Sequence, residues 1–236
     1  VFRDEPVGAN RFRQFIQCDV DIVGSSIKDE AEILALMNEI LTNFGIKPII
    51  LINNRKLLNE ILDEQGIKEK DKEQVLREID KLGKIPETDI KKNLKKLKAE
   101  KVLGDLKKGE SFFKKFSSYD EILELIKYCS YYNVKVQFSP TTIRGLSYYN
   151  GSVFEIRAKN IRETIVGGGS YVFEGTNSTG ISFSLERLFP LVKLNLNREK
   201  SLIVSLGEDQ EAIKLCQRLR AEGKNAFVFF GKPTKA

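Results

Sequence analysis

No histidine occurs in these 236 residues. That absence excludes every Ser-His, Cys-His and His-metal mechanism carried within the chain. Any chemistry must fall to Arg, Lys, Asp, Glu, Tyr or backbone groups. Cysteine is scarce: Cys18, Cys129 and Cys216 stand far apart, with no CxxC pair. Neither a zinc site nor a disulfide framework is indicated, so reduced, buried thiols in the cytosol are expected. No apolar run approaches the roughly 18 residues of a spanning helix, so no membrane association is expected. The opening VFRDEPVGAN carries no apolar signal region, and secretion is not indicated. Glycine and proline are few, and no internal repeat or low-complexity tract interrupts the chain.

What is present is an ordinary globular composition, 41% hydrophobic and 31% charged. The length suits one large domain or two modest ones. A net charge of +6 permits nucleic-acid binding without demonstrating it.

Four regions separate by composition. Residues 1–54 read as strand, helix, strand. In SSIKDEAEILALMNEILTNFG, Ser26 is an N-cap with Asp29 three residues later, and Gly45 sits at the C-terminal stop. KPIILINN follows as a buried strand. Residues 55–133 read as an all-helical insert of Lys/Glu-rich amphipathic segments punctuated by Gly66, Gly83 and Gly104. Its most basic run, KKNLKKLKAEK, carries Lys91, Lys95, Lys98 and Lys101. These lysines form either a solvated helix face or a contact for RNA phosphates. Residues 134–196 return to strands: VKVQFSP, a hairpin turning near Lys159-Asn160, and GISFSLERLFPLVKL running from strand into helix. Residues 200–236 read as a separate parallel β-α-β unit.

The stretch RFRQFIQCDVDIVG, residues 11–24, reads as one long strand. Its even face, Phe12 to Ile22, is mostly apolar. Its odd face runs from Arg11 and Arg13 through Gln17 to Asp19 and Asp21. With Arg3 and Glu5 across a Pro/Gly-containing loop, an antiparallel pair is expected. The polar face suits an extended ligand with a polyanion at one end and a cation or hydrogen-bond donor at the other. From periodicity alone it is first of all the pattern of a half-exposed strand with surface charges. In TTIRGLSYYNGSVFEI, Arg144 beside Gly145 and the pair Tyr148-Tyr149 fit a closely approached anionic ligand, or core packing. Gly167, Gly168 and Gly169 let backbone and ligand come close. Arg187 opens a helix after an alternating strand.

The order and spacing of these segments resemble the histidyl-tRNA synthetases, of the class II aminoacyl-tRNA synthetases. FRDEPVGANRFRQFIQCDVDIVG resembles that class's motif 2. RGLSYYNGSVFE resembles the histidine-specific signature RGLxYYxGxVFE. GISFSLERL resembles motif 3. The helical insert lies where the family carries one, and the last unit is similar to the start of the family's anticodon-binding domain. The fold implied is α+β: a class II antiparallel sheet flanked by helices, with an all-helical insert and the start of a C-terminal α/β domain.

The resemblance implies roles. Arg3 would bind the ATP α-phosphate and the reacting carboxylate, Glu5 the adenine end, Arg11 the outer phosphates, and Arg187 the triphosphate and adenine. Gln17 would face the substrate's amino and carboxylate end. Asp21 would accept from the imidazole, assisted by Tyr149 with Tyr148 beside it. Arg144 would be the catalytic arginine. The activity implied is ATP- and Mg2+-dependent activation of L-histidine, then transfer to tRNA(His), by a cytoplasmic enzyme that is a homodimer at full length. No metal site of the chain's own is expected. The alternative is a non-catalytic paralogue: a regulatory subunit of the ATP phosphoribosyltransferase type, or a synthetase-like RNA-sensing domain. Ser170 and Val172 replace the Arg and Asp of the family's GGGRYD strand, Ser184 replaces the usual Gly of motif 3, and Ser147 replaces the commoner acidic residue. Motif 1 and the strands before motif 2 are not in this sequence, so it reads as a catalytic-core piece of a longer polypeptide. Arg13 and Asp19 share the polar face and take no role from the resemblance.

Overall fold

A computed structural model describes residues 1–4, 7–8, 12–145, 148–159, 161, 163–192 and 200–231. The chain divides into two compact units, residues 1–192 and 193–236.

Hydrophobic alternation in the first unit builds six strands: Gln17–Val23 (β1), Pro48–Asn54 (β2), Val136–Phe138 (β3), Tyr149–Ala158 (β4), Thr164–Phe173 (β5) and Thr176–Ser184 (β6). They form one sheet in the order β1-β6-β5-β4-β2-β3. All neighbours are antiparallel except β2 and β3. The expected antiparallel sheet is present, with β2 and β3 paired in parallel at its edge. The parallel pair arises because the whole helical segment is the crossover from β2 to β3. Glu174 and Gly175, with φ of 47° and 77°, make the tight turn between β5 and β6. The turn expected at Lys159-Asn160 falls partly on Asn160, outside the described residues.

Helix Ile27–Asn43 (α1) starts as its sequence dictates. The Ser26 backbone N–H and hydroxyl both donate to the Asp29 carboxylate, at 2.7 and 2.6 Å. Those bonds hold the Asp29 carboxyl below its ordinary range. Between β2 and β3 lie Arg55–Glu64 (α2), Glu69–Ile79 (α3), Glu87–Lys96 (α4), Val102–Asp105 (α5), Glu110–Phe113 (α6) and Tyr119–Tyr131 (α7). Helices α1 and α7 pack together beside the sheet. Leu34, Met37 and Leu41 of α1 bury with Phe154, Ile156 and Val166 of the sheet, and the same apolar core continues through α2, α3 and α4. Each such side chain contributes about 1.5–3 kcal/mol through burial.

The strand expected over residues 11–24 is shorter. Regular pairing with β6 begins at Gln17. Before it, the chain pairs back on the first residues, with a Phe2–Gln14 bridge and the Arg3 N–H donating to the Arg13 carbonyl at 2.8 Å. The antiparallel return is therefore present, but the apolar face breaks. Cys18, Val20 and Ile22 pack on the core, whereas Phe12 and Ile16 are exposed. Strand β6 ends at Ser184, opposite Gln17, so no ladder partner continues beyond it.

Helix Leu185–Leu188 (α8) follows β6 directly. In the second unit, Lys200–Val204 (β7), Asp209–Ala221 (α9) and Asn225–Phe229 (β8) form the expected unit, with β7 and β8 parallel. All three cysteines are free, Cys129 and Cys216 buried and Cys18 half-buried. Among the described residues no helix is long and apolar enough to cross a membrane.

Candidate active site

Strand register decides which side chains meet. Asp19 stands opposite Ser182, Ser182 opposite Gly167, and Gly167 opposite Glu155. One row along, Asp21, Gly180 and Gly169 are aligned. Residues in one row share a face, so Gln17, Asp19 and Asp21 stand over a floor of serine and glycine. The opposite face carries the core. This face holds two cavities that share Gln17, Gly167 and Ser182 in their linings.

The first cavity, about 90 Å³, gathers Arg3, Arg144 and Arg187. The loop carrying Arg144 is fixed by Asn53 at the end of β2. Its buried amide donates to the carbonyls of Pro140 and Thr142 at 2.9 and 3.0 Å. The Arg144 guanidinium then lies on Gly167, where a Cβ would overlap it. Its Nη1 is 3.7 Å from Glu155 Oε1, and among the described residues its buried Nε has no hydrogen-bond partner. Glu155 is also engaged by Arg157 at 3.1 Å and by the Thr164 hydroxyl at 3.0 Å. Arg3 lies 5.0 Å above the Phe15 ring and donates to Gln17 Oε1 at 3.0 Å. Arg187 donates to the Thr164 carbonyl at 3.4 Å. The arrangement can receive a multiply charged anion.

The second cavity, about 420 Å³, is lined by Asp19, Asp21, Tyr148, Tyr149 and Tyr171. The Tyr171 hydroxyl donates to Asp21 Oδ1 at 2.7 Å. That bond, with some burial, pushes the Tyr171 phenol up to about 12. A Cβ at Gly180 would overlap Asp21 Oδ1, so the glycine makes the pair possible. Tyr149 is buried, and burial raises its phenol well above the ordinary value. Tyr148 is 55% exposed, its ring 4.5 Å from that of Tyr149. A carboxylate ringed by phenols can accept a hydrogen bond from a small polar ring.

The structure thus brings together Arg3, Gln17, Arg144 and Arg187, and beside them Asp21, Tyr148 and Tyr149. Glu5, Arg11 and Ser147 lie outside the described residues. Lys91, Lys95, Lys98 and Lys101 are exposed on or after α4 and line neither cavity, and Lys91 pairs with Glu87 at 3.0 Å. Ser184 lines the first cavity, but its hydroxyl accepts the Arg187 N–H and donates to Glu186. Ser170 points to the other side of the sheet, where its hydroxyl donates to buried Glu30. Val172 stands half-exposed at the edge of the second cavity. Arg13 contributes its carbonyl to Arg3.

Sequence reasoning missed Tyr171, Glu155 and Glu186. The Glu186 carboxylate accepts the Ile16 N–H at 2.9 and 3.1 Å, tying the start of β1 to α8 and lowering its own pKa. The signal for Tyr171 was its parity with Gly167 and Gly169. Reading that signal needs the register against β6. Among the described residues no group of three or more His, Cys, Asp or Glu could hold a metal.

The histidyl-tRNA synthetase family model matches residues 1–188. Histidine–tRNA ligase 1 of Bacillus cereus is 31% identical over 94% of this chain and 60% of its own length. Histidine–tRNA ligase of Bacteroides fragilis is 30% identical over 97% of this chain and 59% of its own. The chain therefore spans about 60% of the length of the curated relatives it matches. The crystal structure of histidyl-tRNA synthetase from Nostoc sp. PCC 7120 superposes with a TM-score of 0.82 at 26% identity, covering 99% of this chain and 64% of that one. A Bacillus halodurans C structure, titled an ATP phosphoribosyltransferase regulatory subunit/histidyl-tRNA synthetase, shares the fold with a TM-score of 0.72 at 19% identity, over 91% of this chain and 62% of that one. The mostly antiparallel sheet with its flanking helices is that of the class II synthetases. With the family model matching from motif 2 to motif 3 and relatives at this identity along nearly all its length, the chain belongs to the histidyl-tRNA synthetase family.

Proposed function

We propose that this chain activates L-histidine with ATP and passes the histidyl group to the 3′ end of tRNA(His). One observation carries the reading: a cavity of three guanidinium groups adjoins, at Gly167 and Ser182, a cavity holding Asp21 and its phenols. A histidine carboxylate at that junction attacks the ATP α-phosphorus, an oxygen–phosphorus bond forms, and pyrophosphate leaves. Arg144 stabilises charge at the α-phosphate, Arg3 meets the same phosphate and the carboxylate, and Arg187 meets the triphosphate. Glu5 and Arg11 complete the ATP side in this reading, at the adenine and the outer phosphates. The step needs positioning and charge neutralisation rather than a proton-transfer base, which a chain without histidine can supply. The partly buried Arg144, with Nε lacking a protein partner, fits a group awaiting an anion. Mg2+ would be held mainly by the triphosphate oxygens.

Asp21 accepts from the imidazole, with Tyr149 assisting. A ligand lacking that donor leaves the carboxylate unpaired, which gives the discrimination. Exposed Lys95, Lys98 and Lys101, with Lys91, offer cations to tRNA phosphates. Residues 55–133 are then the helical insert, residues 1–54 and 134–196 the catalytic core, and residues 200–236 the start of the anticodon-binding domain. A homodimer in the cytosol belongs to the same proposal. The second reading, a regulatory paralogue, draws on Ser170 and Val172 standing where the family's Arg and Asp stand.

Histidine-dependent ATP–pyrophosphate exchange tests the proposal. Exchange is expected with the full-length protein. It should fall by about 10²–10³-fold in Arg144→Ala with unchanged circular dichroism. Histidine binding without exchange is the result the regulatory reading requires.

A further inference from the structure

Glu155 stands opposite Gly167 in the sheet, so its carboxylate lies beside the Arg144 guanidinium that rests on that glycine. A buried carboxylate and a guanidinium so placed can form a two-point, charge-assisted pair. They do not. Glu155 Oε1 is 3.7 Å from Arg144 Nη1, beyond hydrogen-bond length. The reason lies on the other oxygen. Glu155 Oε2 accepts from Arg157 Nη2 at 3.1 Å and from the Thr164 hydroxyl at 3.0 Å. Strand geometry brings both donors there. Glu155 and Arg157 are two residues apart on β4 and share a face. A register shift at Ile156 and Arg157 sets Thr164, rather than Ile165, opposite Arg157, and an irregularity of this kind re-aims a side chain. Arg157 lines neither cavity, and its side chain is 39% exposed, against 24% for Arg144 and 11% for Glu155. It is therefore placed to act on the carboxylate and not on a ligand in the cleft.

We propose that Arg157 is a positioning residue: by holding Glu155 Oε2, together with Thr164, it stops the carboxylate from closing on Arg144 and leaves that guanidinium available to an anion. The inference rests on the histidine reading above, in which Arg144 stabilises charge at the α-phosphate, and adds a residue that reading does not use. Glu155 then acts in two ways. Its charge draws Arg144 toward the cavity floor, and its commitment to Arg157 and Thr164 keeps that attraction short of a full pair. A guanidinium locked into two hydrogen bonds with a carboxylate is neutralised, and a phosphate must break that pair before it can bind. Electrostatic preorganisation needs a charge that is aimed but not already compensated.

Pyrophosphate exchange by the full-length protein tests this. Arg157→Ala is made in the wild-type background and in Glu155→Gln. In the first it should lower kcat about tenfold, by more than it raises the KM for ATP, because the released carboxylate closes on Arg144. In the second, with no carboxylate charge to release, the same substitution should cost less than about twofold. Arg157→Lys keeps a cation beside Oε2 and should recover most of the loss. Circular dichroism and thermal midpoints give the folded fraction, to which kcat is referred. An equal loss in both backgrounds, or a lowered midpoint with kcat unchanged, makes Arg157 a structural residue and overturns its role while the histidine reading stands. A wild-type protein without histidine-dependent exchange overturns both.

Discussion

The two ends of the cleft hold their charges by different means. At the arginine end, long cationic side chains are restrained from below and beside: Arg144 by the bare surface of Gly167 and by Glu155, Arg3 by Phe15 and Gln17. At the acid end, the carboxylates are short and sit directly on β1, and an aromatic hydroxyl aims one of them. In the proposed reading the arginine end neutralises a spread charge, where direction matters less than proximity, and the acid end reads one hydrogen-bond donor, where direction is everything. Both ends need a glycine on the sheet floor, for opposite reasons. Gly167 lets a flexible group lie down, and Gly180 lets two rigid groups meet.

Alanine at those two glycines should separate the ends. The largest effect is expected for Gly167→Ala. The new Cβ displaces the Arg144 guanidinium, and pyrophosphate exchange should fall about 100-fold, well beyond any loss of histidine affinity. Exchange kinetics and calorimetry on one preparation check this. If histidine binding fell as much as exchange, the two ends would be one unit. Gly180→Ala should act the other way round. Asp21 is pushed from Tyr171, histidine affinity drops about tenfold, and the KM for ATP stays unchanged.

The smallest effect comes from behind the sheet. Glu30 is buried among Ser152, Ser170 and Cys129, with Glu121 and Lys56 also facing it. Burial raises its carboxyl pKa above the ordinary value. The folded protein therefore keeps the proton to a higher pH than the unfolded chain does. Stability falls as pH rises from the unfolded value through the folded one. Glu30→Gln should flatten that slope and raise stability at neutral pH by about 1 kcal/mol, read as a denaturant midpoint, with exchange unaffected.

These contrasts also mark what could be read without coordinates. The capping box of α1, the strand–helix–strand of β7, α9 and β8, and the hairpin of β4 and β5 were legible because each is written in neighbouring residues. As neighbours in one cleft, Arg3, Gln17, Asp21, Arg144 and Arg187 were legible through the resemblance and its motifs. Tyr171, Glu155 and Gly180 were not, because their parts depend on which residue of one strand stands opposite which of another. The long strand over residues 11–24 failed for the same reason: alternation says which face a residue would take, not where the partner strand stops.

Asn53 has a consequence beyond fixing one loop. It closes the helical crossover just after the chain has returned to the sheet as β3, by gripping two carbonyls beyond the far end of that excursion. The helices depart at Arg55 and the chain is recaptured at Pro140 and Thr142. Loop-closure entropy changes only slowly with length, so residues can be gained or lost between those points with little effect on the clasp. The helices can therefore be remodelled while the Arg144 loop stays in register.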